Sequence, residues 1–209
     1  MKPTDILRCE HRVIEKVLDC LQVIALEARE RGVLDGVAAE EALLFLRTFA
    51  DLCHHGKEEE RLFPAMVAKG LPRDVGPLAV MVDEHQRGRK LVRRLGTELP
   101  AAARGVGEAV ERFVSDAMEL IAHLHEHIAK EDGVLFPLAE RMLDARDQEG
   151  LLADFDQFEE EDMGEDVHQR MLDLADGLFE RFGKSREEMP SFVASACCHH
   201  VTKAHASAS

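Results

Sequence analysis

Hydrophobic side chains recur at steps of three and four residues over most of the chain, which is the period of a buried helix face. Four long stretches show this pattern, and short segments containing Gly or Pro separate them. Their approximate limits are residues 4–31, 37 to beyond 58, 75–99 and 108–146. Pro64 is expected to distort the second helix, and Pro100 to begin the connection after the third. Short connections predict an all-α, antiparallel up-down four-helix bundle.

Histidine and glutamate interrupt the apolar face of the fourth stretch at positions that should point inward. His127 and Glu131 lie four residues apart, so on a helix their side chains share one face, one turn apart. The apolar residues on both sides keep the same step. A buried carboxylate is costly unless a positive charge neutralises it, and no Lys or Arg shares this stripe. The pattern therefore predicts a bound metal ion.

The His-x-x-x-Glu pair has a second copy upstream. When the two Leu-Phe-Pro tripeptides are aligned, His54 falls on His127 and Glu58 on Glu131, an offset of 127 − 54 = 73 residues. A Glu-His dipeptide is duplicated as well, at 10–11 and 84–85. The bundle is thus predicted to be an internal duplication. Its inward-facing candidate metal ligands are His11, His54, Glu58, His85, His127 and Glu131.

This duplicated pattern resembles the hemerythrin-like (HHE cation-binding) domain family over about Thr4 to Leu143. The resemblance implies a four-helix bundle that holds a non-haem di-iron centre, with two iron ions joined by an oxo or hydroxo bridge. It carries the ligand roles over to the same six residues. Imidazole and carboxylate donors without thiolate also suit zinc or manganese.

The number of donors indicates an open site. Four imidazoles and two bridging carboxylates supply about eight bonds, whereas two octahedral ions need about twelve. A solvent-derived bridge supplies about two more, which leaves roughly two positions for a small molecule such as oxygen, nitric oxide or peroxide.

The sequence differs from the oxygen-carrying hemerythrins. Those proteins have a His-x-x-x-His pair on the third helix, whereas Arg89 lies four residues after His85 and Met81 four residues before it. They also have an Asp five residues after the histidine of the fourth helix. Asp132 has that spacing, but the repeat alignment favours Glu131 as the ligand. A dedicated reversible oxygen carrier is therefore disfavoured.

Other histidines are less clearly placed by the pattern. His123 stands one turn before His127 and is either a seventh ligand or a neighbour of the ligands; its repeat counterpart, Ala50, favours the second interpretation. His55 and His125 are displaced from the apolar stripe, and we expect them to be exposed or to lie outside the ligand set.

The C-terminal part of the chain lacks the bundle motif. Residues 157–166 are mostly acidic and are expected to form a solvated face or loop. Apolar residues from Val167 to Phe182 then step helically, which predicts an additional C-terminal helix. His168 lies beside that stripe and is expected to be a surface or capping residue rather than a ligand. The predicted organisation is a bundle in 1–146, with repeats at about 4–70 and 76–143, an added helix in 147–190, and a disordered tail in 191–209.

Composition restricts the partners. The net charge of −15 argues against nucleic acid or an anionic membrane surface. The five cysteines show no CxxC spacing, so neither a thiolate zinc site nor a disulfide framework is indicated. With no apolar span or signal-peptide pattern in the sequence, a cytoplasmic protein is expected.

Several functions fit such a site. The leading hypothesis is a di-iron protein that binds or senses oxygen, nitric oxide or peroxide in a redox or stress response. Iron storage or donation, including iron–sulfur cluster repair, is the first alternative. Enzymatic turnover of peroxide or oxygen at the same centre stays open, as does a helical interaction module with a structural metal. The pattern assigns no catalytic residue and no protein partner.

Overall fold

Six helices make up the part of the chain that the computed structural model describes, residues 1–164 and 166–183, and these residues contain no strand. Two of the helices are composite. α2 (residues 36–68) joins Gly36–Phe45, Leu46–His55, Glu58–Leu62 and Phe63–Ala68, and α4 (residues 107–142) joins Gly107–Lys130, Glu131–Leu135 and Phe136–Met142. The others are α1 (Pro3–Arg31), α3 (Pro77–Ala102), α5 (Ala145–Phe158) and α6 (Val167–Phe182). The predicted all-α bundle with an added C-terminal helix is confirmed.

Local chemistry explains where the helices begin and end. Pro3 and Pro77 occupy the first helical positions of α1 and α3, where the missing N–H costs nothing. α1 ends, as predicted, at Gly32, whose φ of 70° lies in the left-handed region that glycine adopts without strain. The Asp35 side chain accepts a hydrogen bond from Ala38 N–H and caps α2.

A π-helical turn precedes the Phe-Pro pair in both repeats, at Glu58–Leu62 and Glu131–Leu135. Pro64 and Pro137 have no N–H to give to the carbonyl four residues earlier, and their rings crowd it. The widened turn relieves this conflict through one i→i−5 hydrogen bond in each repeat, from Phe63 N–H to the Glu58 carbonyl and from Phe136 N–H to the Glu131 carbonyl. The distortion predicted at Pro64 is thus present, and it begins at a candidate ligand in each repeat.

A polar layer divides the apolar core into two clusters. The larger cluster fills one side of the bundle with residues such as Ile14, Phe49 and Phe113, and the smaller one fills the other side with residues such as Leu7 and Phe136. Each bundle helix contributes a histidine where its apolar residues pass from one cluster to the other. The candidate metal centre therefore lies inside the bundle, closed on both sides by packed side chains.

Three boundaries differ from the sequence predictions. α3 continues through Pro100 to Ala102, because a proline in the last turn removes only the hydrogen bond to the Gly96 carbonyl. The Ala102 carbonyl at the end of the helix accepts from Leu34 N–H and Gly105 N–H. The fourth bundle helix, expected to reach Arg146, ends at Met142. A separate helix, α5, follows where the sequence predicted no element before Val167.

The two C-terminal helices pack on the bundle. α5 buries Leu151, Phe155 and Phe158, and a π-helical turn over Glu159–Met163 extends it into the acidic run. α6 buries its apolar face against α1 and the first part of α2. The tail predicted for 191–209 and the end of the 147–190 segment lie outside the described residues. No helix within the described ranges is long and apolar enough to cross a membrane.

Candidate metal centre

The six predicted ligands come together in the middle of the bundle, and each is at most 2% exposed. Together with His55, their metal-binding atoms form two adjoining clusters. In each cluster every metal-binding atom lies within 4.8 Å of the others. The first cluster contains His11, His54, Glu58 and Glu131, and the second contains His55, Glu58, His85 and His127. Glu58 belongs to both clusters, so the arrangement has the form of two neighbouring sites that share a carboxylate.

Each glutamate lies between imidazoles of both repeats. Glu131 Oε2 is 3.2 Å from both His11 Nε2 and His127 Nε2. The two oxygens of Glu58 are 3.7 Å from His54 Nε2 and 3.4 Å from His85 Nε2. Carboxylates in this position can bridge two metal ions.

A carboxylate holds the outer nitrogen of every one of the four predicted histidine ligands. In each repeat, the Glu that precedes the first histidine accepts from Nδ1 of the second histidine, with distances of 2.8 Å for Glu10–His54 and 3.0 Å for Glu84–His127. The residue after each central glutamate accepts from the other repeat, at 2.6 Å for Glu59–His85 and 2.9 Å for Asp132–His11. An ionised carboxylate can only accept, so each Nδ1 carries a proton and each Nε2 points into the site.

This pattern also defines what Asp132 and the Glu-His dipeptides do. Asp132 orients His11 from outside the cluster and binds Arg12 with its other oxygen. Glu10 and Glu84 have the equivalent task for the histidines of α2 and α4. The duplication therefore extends beyond the six central residues to the carboxylates around them.

Several buried polar atoms in the clusters lack a hydrogen-bond partner among the described residues. They are both oxygens of Glu58, both oxygens of Glu131, and Nε2 of His11 and His54. Such groups are costly in a protein interior unless something satisfies them. The donor set is imidazole nitrogen and carboxylate oxygen with no thiolate, which suits iron, manganese or zinc. The residues present therefore fit a cation, and specifically a pair of cations.

Without a metal ion, protons take the place of the cation. Burial by itself would lower the pKa of His11, but its hydrogen bond to Asp132 and the nearby Glu131 carboxylate raise it to about 9. Burial is likewise outweighed at His85, where the nearby carboxylates of Glu131, Glu58 and Glu59 raise the pKa well above the ordinary value, and at His127, where the charge of Glu131 raises the pKa. Metal binding must displace these protons.

His55 is the residue of the site that sequence analysis missed. It is 6% exposed, and its ring stacks on His85 with centroids 3.9 Å apart. Burial and then the charges of His85, His54 and His127 lower its pKa well below the ordinary value, so this imidazole is neutral. Its helix is π-helical over Leu46–His55, and the wider turn changes which residues face inward relative to the α-helical period assumed from sequence.

The remaining histidines of residues 1–164 and 166–183 lie outside both clusters. His123 Nε2 is 2.8 Å from the Glu84 backbone oxygen, and its ring is 6.4 Å from that of His127. His125 is partly buried, with 41% of its side chain exposed, and it lies outside the ligand set as expected. His168, expected at the surface, is only 12% exposed, and its ring stacks on Phe49 at 5.2 Å.

A third cluster of polar residues adjoins the first metal cluster. Lys57 is fully buried and pairs with Glu10 and with Glu159 from the end of α5. His168 Nε2 lies 3.7 Å from Glu10 Oε1, and Cys53 completes the group. Burial opposes the ionised forms, yet their mutual attraction holds the pKa of Glu10 well below and that of Lys57 well above its ordinary value. The Lys57 ammonium supplies the cation here, so the acidic run, which was expected to be a solvated face or loop, contributes one buried ion pair.

Comparisons with known proteins agree with this geometry. The family model described as the hemerythrin HHE cation-binding domain matches residues 2–139. An uncharacterised protein of Mycobacterium tuberculosis and one of Mycobacterium bovis are each 28% identical over 173 residues, which is 82% of this chain and 66% of theirs. The iron-sulfur cluster repair protein YtfE of Enterobacter is 31% identical over 138 residues, which is 63% of this chain and 60% of that protein. No solved structure matches.

The family match begins in α1 and ends in the last turn of α4, so it covers both repeats and all six central residues. The family resemblance predicted from the duplicated motif is confirmed, and with it a cation-binding domain. The chain belongs to the hemerythrin HHE cation-binding domain family.

Proposed function

We propose that this chain holds a non-haem di-iron centre, with His11, His54, Glu58, His85, His127 and Glu131 as ligands, and that the centre binds or senses a small molecule such as oxygen, nitric oxide or peroxide in a redox or stress response. The observation that carries the proposal is the pair of buried clusters sharing Glu58, with four carboxylate oxygens left without partners. A bound iron pair would supply exchangeable coordination positions and redox chemistry at this point.

The surrounding residues support that role in three ways. The four outer carboxylates hold the imidazoles with their Nε2 atoms inward, so the rings need little reorientation when a metal ion replaces the protons. The two apolar clusters keep bulk water away from the centre. His55 is neutral and lies within reach of the second cluster, so it can donate a hydrogen bond to a small molecule there or act as a further ligand.

The test is the optical response of the iron-loaded protein. Protein reconstituted anaerobically with ferrous iron is mixed with oxygen, nitric oxide or hydrogen peroxide while its visible spectrum is recorded. We expect at least one of the three to change the spectrum, and consumption of peroxide over many cycles would identify turnover. The variants Glu58→Gln and Glu131→Gln should lose the response, whereas Glu60→Gln, at a residue with a 60% exposed side chain, should keep it. A spectrum insensitive to all three molecules contradicts the proposal.

Iron donation for iron–sulfur cluster repair is a second candidate, supported by the similarity to the Enterobacter repair protein. That protein is longer than the matched region, since the alignment covers 60% of it. The discriminating measurement is iron transfer from the loaded chain to an apo-ferredoxin, followed by recovery of the cluster absorption. Transfer faster than from an equal amount of free ferrous iron favours donation, and retention of the iron favours sensing.

A further inference from the structure

A pocket of about 240 Å³ lies between α2, α3 and α4, next to the metal centre. His55 lines the pocket and also belongs to the second metal cluster, so the two share one imidazole. Most of the remaining lining is apolar and comes from three helices: Leu46, Ala50, Gly88, Val92, Leu120 and Leu124. A water molecule occupies roughly 30 Å³, so the pocket has room for a ligand of about eight non-hydrogen atoms.

The polar lining is basic, which is unusual in a chain with a net charge of −15. Three arginines, Arg47, Arg89 and Arg93, face a single carboxylate, Asp51. Arg89 Nε donates to Asp51 Oδ1 at 2.7 Å, so this pair is close to neutral. Arg47 reaches out to Glu40, and Arg93 is exposed and forms no ion pair within the described residues. The unpaired positive charge is therefore that of Arg93, and a ligand that contacts Arg47 replaces its exposed partner Glu40.

The charge and the metal centre lie at opposite ends of the pocket. Arg47 and His55 are eight residues apart on α2 (55 − 47 = 8), which corresponds to no more than about 12 Å along the axis. On the neighbouring α3, Arg89 pairs with the middle of this stretch, and Arg93, one turn further, lies toward the Arg47 end. A Cβ at Gly96 would lie 3.7 Å from Arg47 Nη1. The Arg47 guanidinium therefore lies beside the C-terminal part of α3, as Arg93 does. The apolar floor connects the two ends.

We propose that this pocket binds a small organic anion, a carboxylate with an unbranched chain of about six to eight carbons. Its head group lies between Arg47 and Arg93, where guanidinium groups match a planar carboxylate. Its chain covers the apolar floor toward His55. The assignment rests on the pocket alone and does not depend on which metal the centre holds.

A chain-length series tests the apolar part of this assignment. The full chain, metal-free and iron-loaded, is titrated by calorimetry with acetate, butanoate, hexanoate, octanoate and decanoate. Each buried methylene should strengthen binding about fourfold. The gain should stop near six to eight carbons, when the pocket is full. Affinity that does not depend on chain length, or that keeps rising through decanoate, overturns the assignment.

Rim and floor variants test the position of the ligand. Arg93→Gln and Arg47→Gln should each weaken hexanoate binding about two- to fivefold, as expected for one exposed charge contact. They should leave hexanol binding unchanged. Arg87→Gln is the matched control, because Arg87 is an exposed arginine of α3 that pairs with Glu119 and does not line the pocket. If hexanol binds as well as hexanoate and the arginine variants change neither, the pocket is only apolar and the anion assignment is wrong.

Larger side chains at Gly88, on the apolar floor of the pocket, provide a third test of the proposal. A Cβ at Gly88 would meet Leu124 Cδ2 at 3.7 Å, an ordinary contact, so Gly88→Ala should fold and weaken hexanoate binding modestly. Gly88→Leu should abolish it while circular dichroism and iron content stay as in the parent. Undiminished hexanoate binding by a folded Gly88→Leu protein contradicts the assignment.

Discussion

The two repeats hold the same lysine in different surroundings. Lys57 and Lys130 each precede a central glutamate, and each pairs with the carboxylate that supports the second histidine of its repeat. Lys57 is fully buried and has an additional partner in Glu159, whereas 45% of the Lys130 side chain is exposed. The same local motif therefore forms a closed ion-pair network in one half of the bundle and a surface ion pair in the other.

One residue explains why the added helices cover the first half. A Cβ at Gly56 would lie 2.5 Å from Phe158 Cζ, so only glycine lets α5 approach this closely. The equivalent position in the second repeat is Ala129, which is exposed. The two halves thus share the same candidate ligands, while the contacts of α5 and α6 make them unequal in burial.

Replacing each of the two lysines should give the largest difference in stability between the two halves. Lys57→Met leaves Glu10 buried beside Glu159 without its cation, and we expect a loss of about 3–5 kcal/mol in the free energy of unfolding. Lys130→Met removes a half-exposed pair and should cost no more than about 1 kcal/mol. Urea denaturation of both metal-free variants measures the difference. Equal losses would mean that α5 does not protect the first half.

Both halves contain a central histidine with a raised pKa, so the stability of both halves should depend on pH. The pKa of His11 is raised from 6.5 to about 9, so its stabilising contribution is complete below about pH 6.5 and is lost as the pH rises through 9. That shift corresponds to about 3 kcal/mol at most. The pKa of its counterpart His85 is also raised. Metal-free protein should therefore be less stable to urea above pH 9 than at pH 6.5.

Substitution shows which histidines cause this loss. His11→Asn and His85→Asn should each flatten the dependence of stability on pH, and His125→Asn, at a partly exposed position outside the metal clusters, should leave it unchanged. Stability that stays constant or rises over this interval would contradict the assignment of protons to the metal-free centre.

Disturbing the close contact between Gly56 and Phe158 should change stability less than replacing Lys57. Gly56→Ala should force Phe158 and α5 away from α2 and cost about 1–3 kcal/mol. Gly133→Ala is the control in the other repeat, since a Cβ there meets nothing within 4 Å. It should be neutral or slightly stabilising. Hydrogen exchange should show faster exchange in α5 for Gly56→Ala alone, and unchanged exchange there would rule out this packing argument.

The outer carboxylates should give the smallest change in folding but a clear change in metal binding. Glu84→Gln removes the acceptor charge behind His127 and should weaken iron binding by about 10- to 100-fold. Because Glu84 is near the surface, the variant should remain folded. Competition with a coloured chelator measures the affinity, and Glu108→Gln, at a residue with an 89% exposed side chain, serves as control. An unchanged affinity would mean that Glu84 does not support the site.

The sequence predicted the bundle and the convergence of the six central residues because a duplicated motif and a regular apolar step both depend on local spacing. It did not predict His55, since the α-helical period places that residue off the inward face and the π-helical stretch brings it back. It did not predict α5 either. The apolar residues Leu151, Phe155 and Phe158 are separated by acidic ones, and their partners lie far away in the sequence.

The sequence did not predict the burial of Lys57 in the first half either. Lys57 lies in a run of charged residues that is typical of a solvated face, and only the packing of α5 and α6 encloses it. The repeat alignment favoured Glu131 over Asp132 as a ligand, but it could not predict the hydrogen bond of Asp132 to His11, which depends on how α1 and α4 cross. These features follow from tertiary contacts between residues more than a hundred positions apart.

The central claim is that two equivalent halves hold two metal ions bridged by Glu58 and Glu131. The most direct measurement is the iron content of the anaerobically reconstituted chain, combined with Mössbauer spectroscopy after oxidation. We expect about two irons per chain in a spin-coupled pair, as two octahedral sites sharing carboxylates would give. One iron per chain, or two irons that are magnetically independent, would contradict the account.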